Sequence, residues 1–151
     1  MKKYYYDSPV GRLWICEKES KISQVSFTEA AECEIEKTPL ITKACEQLEE
    51  YFAQKRKTFD LPLCIEGSEF QRKVWHALLR VEYGKTATYG DIAQLIGKPK
   101  ASRAVGGANN KNKIAIIIPC HRVIGQNGAL TGYAGGLKVK KYLLDLEQGA
   151  E

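Results

Sequence analysis

The sequence predicts an α+β protein: a small antiparallel sheet with one helix, followed by a helical unit built on a helix-turn-helix outline. Three observations carry this. Short aromatic and branched runs crowd the first 27 residues, apolar residues recur at helical spacing from Ile41 onward, and two short helical segments flank Gly97-Lys98-Pro99.

The elements follow in order. Tyr4–Asp7, Leu13–Glu17 and Ile22–Phe27 are divided by Ser8-Pro9 with Gly11 and by Lys18–Lys21, the pattern of an antiparallel meander. Ile41, Cys45, Leu48 and Phe52 mark one face of a helix over Ile41–Gln54, and Lys55–Leu63, charged and holding Pro62, reads as a connection. Ser68-x-x-Gln71 is a capping-box pattern opening a helix whose apolar face is Phe70, Val74, Leu78 and Val81. Thr88–Gly97 reads as a short capped helix stopped by glycine, and Lys100–Ala108 as its partner across a tight turn. Ile114–Pro119 reads as a buried strand, Gly125-Gln126-Asn127-Gly128 as a turn, and a last helix follows Gly135-Gly136. In that helix Leu137, Tyr142 or Leu143, and Leu146 are expected to face inward, with Gly149 after its end.

Composition excludes several classes. No apolar run approaches the roughly 20 residues of a membrane span, and Met1-Lys2-Lys3-Tyr4-Tyr5-Tyr6 lacks the apolar stretch of a signal peptide, so a cytoplasmic location is expected. Charge is unevenly spread: residues 1–65 carry 10 Lys/Arg against 11 Asp/Glu, whereas residues 66–151 carry 13 against 7. A basic second half suits a polyanionic partner, although an ordinary solvated basic surface fits the charge count equally well.

The five cysteines form no CxxC pair and suggest neither a disulfide framework nor a zinc site. Cys45 falls on the apolar helix face, and Cys16, Cys33, Cys64 and His76 have no evident partner; all five read as structural. Cys120 differs because His121 and Arg122 follow it. A thiol attacks as its thiolate and needs a base near neutral pH. Neighbours on a strand point to opposite faces, so adjacency alone leaves a buried cysteine with a structural histidine as an open alternative.

Three blocks extend this reading. RAVGGANN from Arg103, IPCHRVIG around Cys120 and GYAGGLKVKKYLLDLE ending at Glu147 occur in this order, and together they closely resemble the O6-alkylguanine-DNA alkyltransferases, the methylated-DNA–protein-cysteine methyltransferases. The likeness covers about Phe70–Glu147; the N-terminal part fits the family only in size and coarse pattern.

The resemblance implies a ribonuclease-H-like N-terminal α/β domain over 1–65 and a winged helix-turn-helix domain over 66–151 that binds DNA and carries the active site. It implies direct-reversal DNA repair. The protein would bind duplex DNA containing alkylated guanine through the minor groove and flip the base. It would take the alkyl group from O6, with O4-alkylthymine a further candidate, onto Cys120 in a single-use reaction. No cofactor and no metal are implied, the chain is expected to be a monomer in solution, and cooperative assembly on DNA is left open.

Carried over residue by residue, Cys120 is the nucleophile, His121 the water-mediated base, and Glu147 the acid that holds the imidazole. Asn112 braces the turn beside the cysteine, and Tyr89 serves the leaving guanine through its hydroxyl. Arg103 fills the gap left by the flipped base. Ala104, Gly106, Gly107 and Ala108 leave its helix slim enough for a minor groove about 6 Å wide, though packing on another helix would also select small residues. Tyr133, Ala134 and Gly135 match a lid over the base, and Val123 a pocket wall reading guanine through its carbonyl. Arg122 reads as an ion-pair partner. Lys113 and Ala115 stand where relatives commonly, or in some cases, carry proline, and the looser loop is expected to tolerate larger alkyl groups.

Other classes fit less. A lesion-binding protein without transfer would lack the cysteine, a winged-helix regulator leaves Cys120, His121, Asn112 and Glu147 without a role, and a cysteine hydrolase would need an oxyanion loop that is not evident.

Overall fold

A computed structural model describes Met1–Gly149. The chain divides into two compact units, one of Met1–Cys64 with Lys113–Ile117, the other of Ile65–Asn112 with the chain from Ile118 onward.

In the first unit β1 (Lys2–Ser8), β2 (Gly11–Lys18) and β3 (Lys21–Ser26) form the expected meander, with Tyr5 opposite Trp14 and Ile15 opposite Val25. The second hairpin turns on Glu19 (φ 52°) and Ser20 (φ 64°); positive φ at both central residues matches the right-handed twist of the strands. A short strand, β4 (Glu34–Ile35), adds in parallel to β1, giving the order β3-β2-β1-β4. Both its residues are exposed, so no apolar pattern betrayed it.

Helix α1 (Pro39–Phe52) begins two residues earlier than periodicity suggests. Thr38 Oγ1 caps the Ile41 N–H at 3.1 Å, and Pro39 takes the first turn, where its missing N–H costs nothing. Ile41, Ala44, Leu48 and Tyr51 are fully buried, as are Leu13, Ile15 and Ile22 of the sheet. Each large side chain so buried contributes about 1.5–3 kcal/mol. Cys45 is only half-buried, because Ala44 and Leu48 define the true inward stripe. Buried Gln47 clamps the connection, donating to Asp60 O at 3.1 Å and accepting from Asp60 N–H at 2.9 Å.

The second unit is helical. The capping box forms at α2 (Glu69–Leu78), with Ser68 and Gln71 satisfying each other's backbone N–H groups. A second box, Thr88 with Asp91, opens α3 (Tyr89–Leu95). Gly97 ends that helix at φ 75°, a conformation that favours glycine. The partner helix α4 spans Ser102–Asn110, two residues later than expected, because Ala101 N–H closes a turn onto Lys98 O at 2.9 Å before the helix starts. Val74, Leu78, Ile92, Ala93 and Val105 form the centre, and the Trp75 indole donates to Ala108 O at 2.9 Å. A two-stranded parallel sheet joins β5 (Ala87–Thr88) to β6 (Val123–Ile124). The last helix is α5 (Leu137–Glu147).

Two expectations fail here. Ile114–Pro119 is buried but is not a strand. After one bridge to Val25 the run folds into two γ-turns. Ile117 N–H bonds Ala115 O at 2.8 Å around Ile116 (φ 70°), and Cys120 N–H bonds Ile118 O at 2.8 Å around Pro119 (φ −81°, ψ 63°). A wholly apolar run has no period to distinguish strand from buried turn. The inward stripe of α5 is Lys140, Leu143 and Glu147, leaving Leu137 and Tyr142 exposed, since the polar ends of Lys140 and Glu147 have partners inside.

Replacing Trp75 by Phe keeps an aromatic ring but removes the indole donor from Ala108 O, which retains the Lys111 N–H at 3.1 Å. Urea unfolding is expected to show a loss of about 0.5–1.5 kcal/mol; a loss below a few tenths would mean this bond does not anchor α4.

Candidate active site

Cys120 opens a single 3-10 turn, Cys120–Arg122, made by two features of the backbone before it. Pro119 supplies a φ near that of its γ-turn and has no N–H to satisfy, and its carbonyl accepts from Arg122 N–H at 3.0 Å. The end of α4 then braces the turn. Asn112 Nδ2 donates to Ile118 O at 2.9 Å, and Asn109 Nδ2 reaches Cys120 O at 3.4 Å. The Asn112 side chain also hydrogen-bonds the Cys120 sulfur.

The turn sends His121 and Arg122 inward to the end of α5. His121, fully buried, shares a 2.6 Å hydrogen bond between Nε2 and Glu147 Oε2. Arg122 grips the same carboxylate with two donors, Nε to Oε1 at 2.7 Å and Nη2 to Oε2 at 3.1 Å, while Nη1 donates to Val81 O at 2.7 Å. Glu147 is held down to about 2: burial alone would raise it, but the hydrogen bonds and charge of His121 and Arg122 overcome burial. A guanidinium is not deprotonated in proteins, so the carboxylate stays ionised even beside a neutral ring.

That fixes the tautomer. An ionised carboxylate only accepts, so His121 Nε2 carries the proton and Nδ1 keeps its lone pair. Nδ1 is buried and has no hydrogen-bond partner among the described residues. Burial lowers the pKa of His121, outweighing Glu147, so the ring rests neutral near pH 7. Burial also pushes the Cys120 thiol up, against the opposing pull of Asn112, Lys140 and a backbone hydrogen bond. The thiol is therefore protonated at rest, and its ionisation must be coupled to a base.

Lys140 is the residue that sequence reasoning missed. It is fully buried on α5, and its Nζ donates to Val123 O at 2.6 Å and Thr131 O at 3.1 Å, with Thr131 Oγ1 at 3.4 Å. Thr131 Oγ1 in turn hydrogen-bonds the Tyr89 hydroxyl. Tyr89 is set there by β5–β6 pairing, which puts the start of α3 beside the strand that follows the Cys120 turn. A signal existed: with Glu147 facing inward, helical spacing points Leu143 and Lys140 inward as well.

The remaining expected residues are distributed as follows. Val123 is fully buried with its carbonyl on Lys140, and the Tyr133 ring stands edge-on to His121, centroids 6.5 Å apart. Ala134 and Gly135 lie in the turn before α5, closed by Gly136 N–H to Tyr133 O at 2.9 Å. On α4, Arg103, Ala104 and Gly107 are exposed, and a Cβ added to Gly107 would meet nothing within 4 Å. Gly106 instead lies against the Tyr89 ring, 3.7 Å from where a Cβ would stand. Ala108 corrects the expectation of a wholly bare helix. It is 4% exposed, because Val105, Ala108 and Asn109 make the inward stripe.

Both parts of the chain match models of one known family. The family model for the DNA-binding domain of 6-O-methylguanine DNA methyltransferase matches residues 69–149, and that for its ribonuclease-like domain matches residues 1–65. The chain belongs to the 6-O-methylguanine DNA methyltransferase family. A methylated-DNA–protein-cysteine methyltransferase of Methanosarcina acetivorans is 51% identical, over 95% of this chain and 97% of the relative. The constitutive Bacillus subtilis enzyme is 46% identical over 94% and 92%. Mycobacterium tuberculosis OGT, solved in complex with DNA, superposes with a TM-score of 0.93 at 43% identity, covering 99% of this chain and 94% of that one. Family membership thus rests on both halves of the chain, whereas the sequence likeness was strong only from Phe70. No described helix is long and apolar enough to cross a membrane.

The acid limb of stability has a definite sign. His121, ordinarily near 6.5, is lowered, so its contribution is complete above about pH 6.5 and is lost as pH falls through the folded value. Glu147, ordinarily 4.5 and held at about 2, adds about 3 kcal/mol that is complete above 4.5 and is lost toward 2. Urea unfolding is expected to show stability declining in both windows on acidification. Stability rising as pH drops through about 6 would contradict a buried neutral imidazole.

Proposed function

We propose that this chain repairs DNA by direct reversal, moving the alkyl group from O6 of a guanine in duplex DNA onto Cys120, once per molecule. The observation that carries this is the buried thiol of Cys120 on a turn braced by Asn112, followed at once by a histidine whose other nitrogen is committed to Glu147.

The chemistry follows from the proton inventory. The Cys120 thiol gives its proton to His121 Nδ1, directly or through a water, and Glu147 stabilises the imidazolium. The sulfur attacks the alkyl carbon while the carbon–oxygen bond breaks, and the electron pair leaves with guanine. Tyr89, its hydroxyl positioned by Thr131 and Lys140, relieves the charge that grows on the base. Net, the thiol proton ends on guanine and the alkyl group on sulfur. The thioether is stable, so turnover stops at one.

DNA engagement is assigned to the exposed edge of α4. Arg103, Ala104 and Gly107 present a slim surface for the minor groove, and Arg103 enters the stack where the base leaves. Val123, Tyr133, Ala134 and Gly135 would line the base pocket. The protein acts on duplex as a monomer in this reading.

Incubation with duplex bearing O6-methylguanine is expected to add one methylene unit of mass to the Cys120 peptide, with one lesion removed per protein and none by Cys120→Ser. Binding of the lesion without a mass change would instead favour a recognition protein, and undiminished repair by Cys120→Ser would end the proposal. Arg103→Ala is expected to slow repair of duplex at least ~10-fold while leaving reaction with the free alkylated base nearly unchanged. Equal loss on both substrates would remove Arg103 from its assigned role.

A further inference from the structure

We propose that Cys16 and Cys33 are a modification site: a thiol pair that closes into a reversible intramolecular disulfide under peroxide, stapling the segment before β4 onto the outer face of the sheet. The two sulfurs lie 3.6 Å apart, and the residues are 1% and 9% exposed. Sequence spacing gave no hint of the pair, since 17 residues separate them.

The sheet's own chemistry brings them together. Along β2 the side chains of Leu13 and Ile15 take the fully buried face, so Cys16 turns to the opposite one, where it lies across from Lys3 of β1. Lys3 is only 4% exposed, and its ammonium is the clamp for what covers this face. Nζ donates to Ala30 O at 2.6 Å, pairs with Glu29 at 2.6 Å, and sits 5.6 Å from the centre of the Trp14 ring. Residues 29 and 30 are thus pinned over the sheet, and four residues further on Glu34 begins the pairing with β1. Cys33 is held between these two anchors, and its sulfur meets that of Cys16.

A disulfide of about 2.05 Å requires the sulfurs to close by roughly 1.5 Å, within reach of rotamer and loop adjustment. The roles are unequal. Cys33 is the more accessible of the two at 9% exposed; Cys16 is sealed, its thiol pushed up to about 12 by burial and then by Cys33, with Lys3 opposing. Cys33 therefore meets the oxidant. Its sulfur attacks the peroxide oxygen, the O–O bond breaks, and a sulfenic acid and one water result. The Cys16 sulfur then displaces the hydroxyl from that sulfenic acid, forming the S–S bond and a second water. Two thiols and one hydrogen peroxide give one disulfide and two waters. A dithiol reverses the process by exchange.

The test uses the full chain with Cys120→Ser, so that the reactive thiol of the proposed repair site does not compete. After one equivalent of hydrogen peroxide, blocking of free thiols and non-reducing digestion, mass spectrometry is expected to find the Cys16 and Cys33 peptides linked and two hydrogens lighter. Dithiothreitol should separate them, and Cys33→Ser should abolish the link. Closing this loop restricts the unfolded chain, so the oxidised protein is expected to melt about 5–10 °C higher than the reduced one. Recovery of both cysteines singly blocked, linkage of Cys33 to a different cysteine, or an unchanged melting point in a fully linked protein would overturn the proposal. Failure here would leave the reading of Cys120 untouched, since the two rest on different residues.

Discussion

One buried carboxylate organises the second unit. Glu147 accepts from His121 and from two donors of Arg122, so the end of α5, the Cys120–Arg122 turn and the Val81 carbonyl meet at one charge. Taking a carboxylate out of water is costly and is offset only when its lone pairs are satisfied. Here they are, and the arrangement is mutually enforcing: Arg122 keeps Glu147 ionised, and Glu147 keeps the Nε2–H of His121 oriented. Arg122 is a positioning residue in this sense. It touches no reacting atom in the proposed chemistry, yet without it the carboxylate would lose one of the two partners, His121 and Arg122, that hold its pKa down.

A second constraint fixes the sulfur. The chain reaches Cys120 through two γ-turns, one around Ile116 at φ 70°. A branched residue there costs on the order of 1–3 kcal/mol and persists only where its surroundings over-determine it. Those surroundings include Asn109 of α4 on Cys120 O and Asn112, two residues past that helix, on Ile118 O. The same helix carries Arg103 near its other end. In the proposed reading, what α4 engages is thereby tied to the backbone that carries the sulfur, and placement errors of about 1 Å can cost 100-fold in rate.

These facts separate what the sequence made legible from what it did not. Local chemistry was readable: Ser68 with Gln71, Thr88 opening α3, Gly97 closing it, and the hairpin breaks of the meander each act within four residues. Cys120, His121 and Glu147 were singled out through the family resemblance, since Cys–His adjacency alone left a structural pair open; the fold brings His121 and Glu147 to 2.6 Å. Illegible were features set by partners far along the chain. Ile114–Pro119 carries no period, so burial was evident but backbone path was not. Ala108 looked bare until Trp75 was seen to bond its carbonyl. Lys140 was not singled out among its neighbouring lysines, yet three oxygens from Val123 and Thr131 receive it.

The electrostatics then say why such a site is quiet until used. Burial holds the Cys120 thiol and the His121 ring in their neutral forms, so no thiolate waits exposed to stray electrophiles. Moving a proton from one to the other inside the protein creates two charges that this environment resists, unless the sulfur's charge is consumed as it forms. In the proposed reaction an alkyl carbon whose bond to guanine is breaking does that, because the negative charge passes on to the base. The thioether left behind is neutral and has no proton to lose, which suits the same burial that opposed the thiolate. A site tuned for neutral end states and hostile to the charged intermediate couples proton transfer to bond breaking, and selects for a substrate that carries its own leaving group into place.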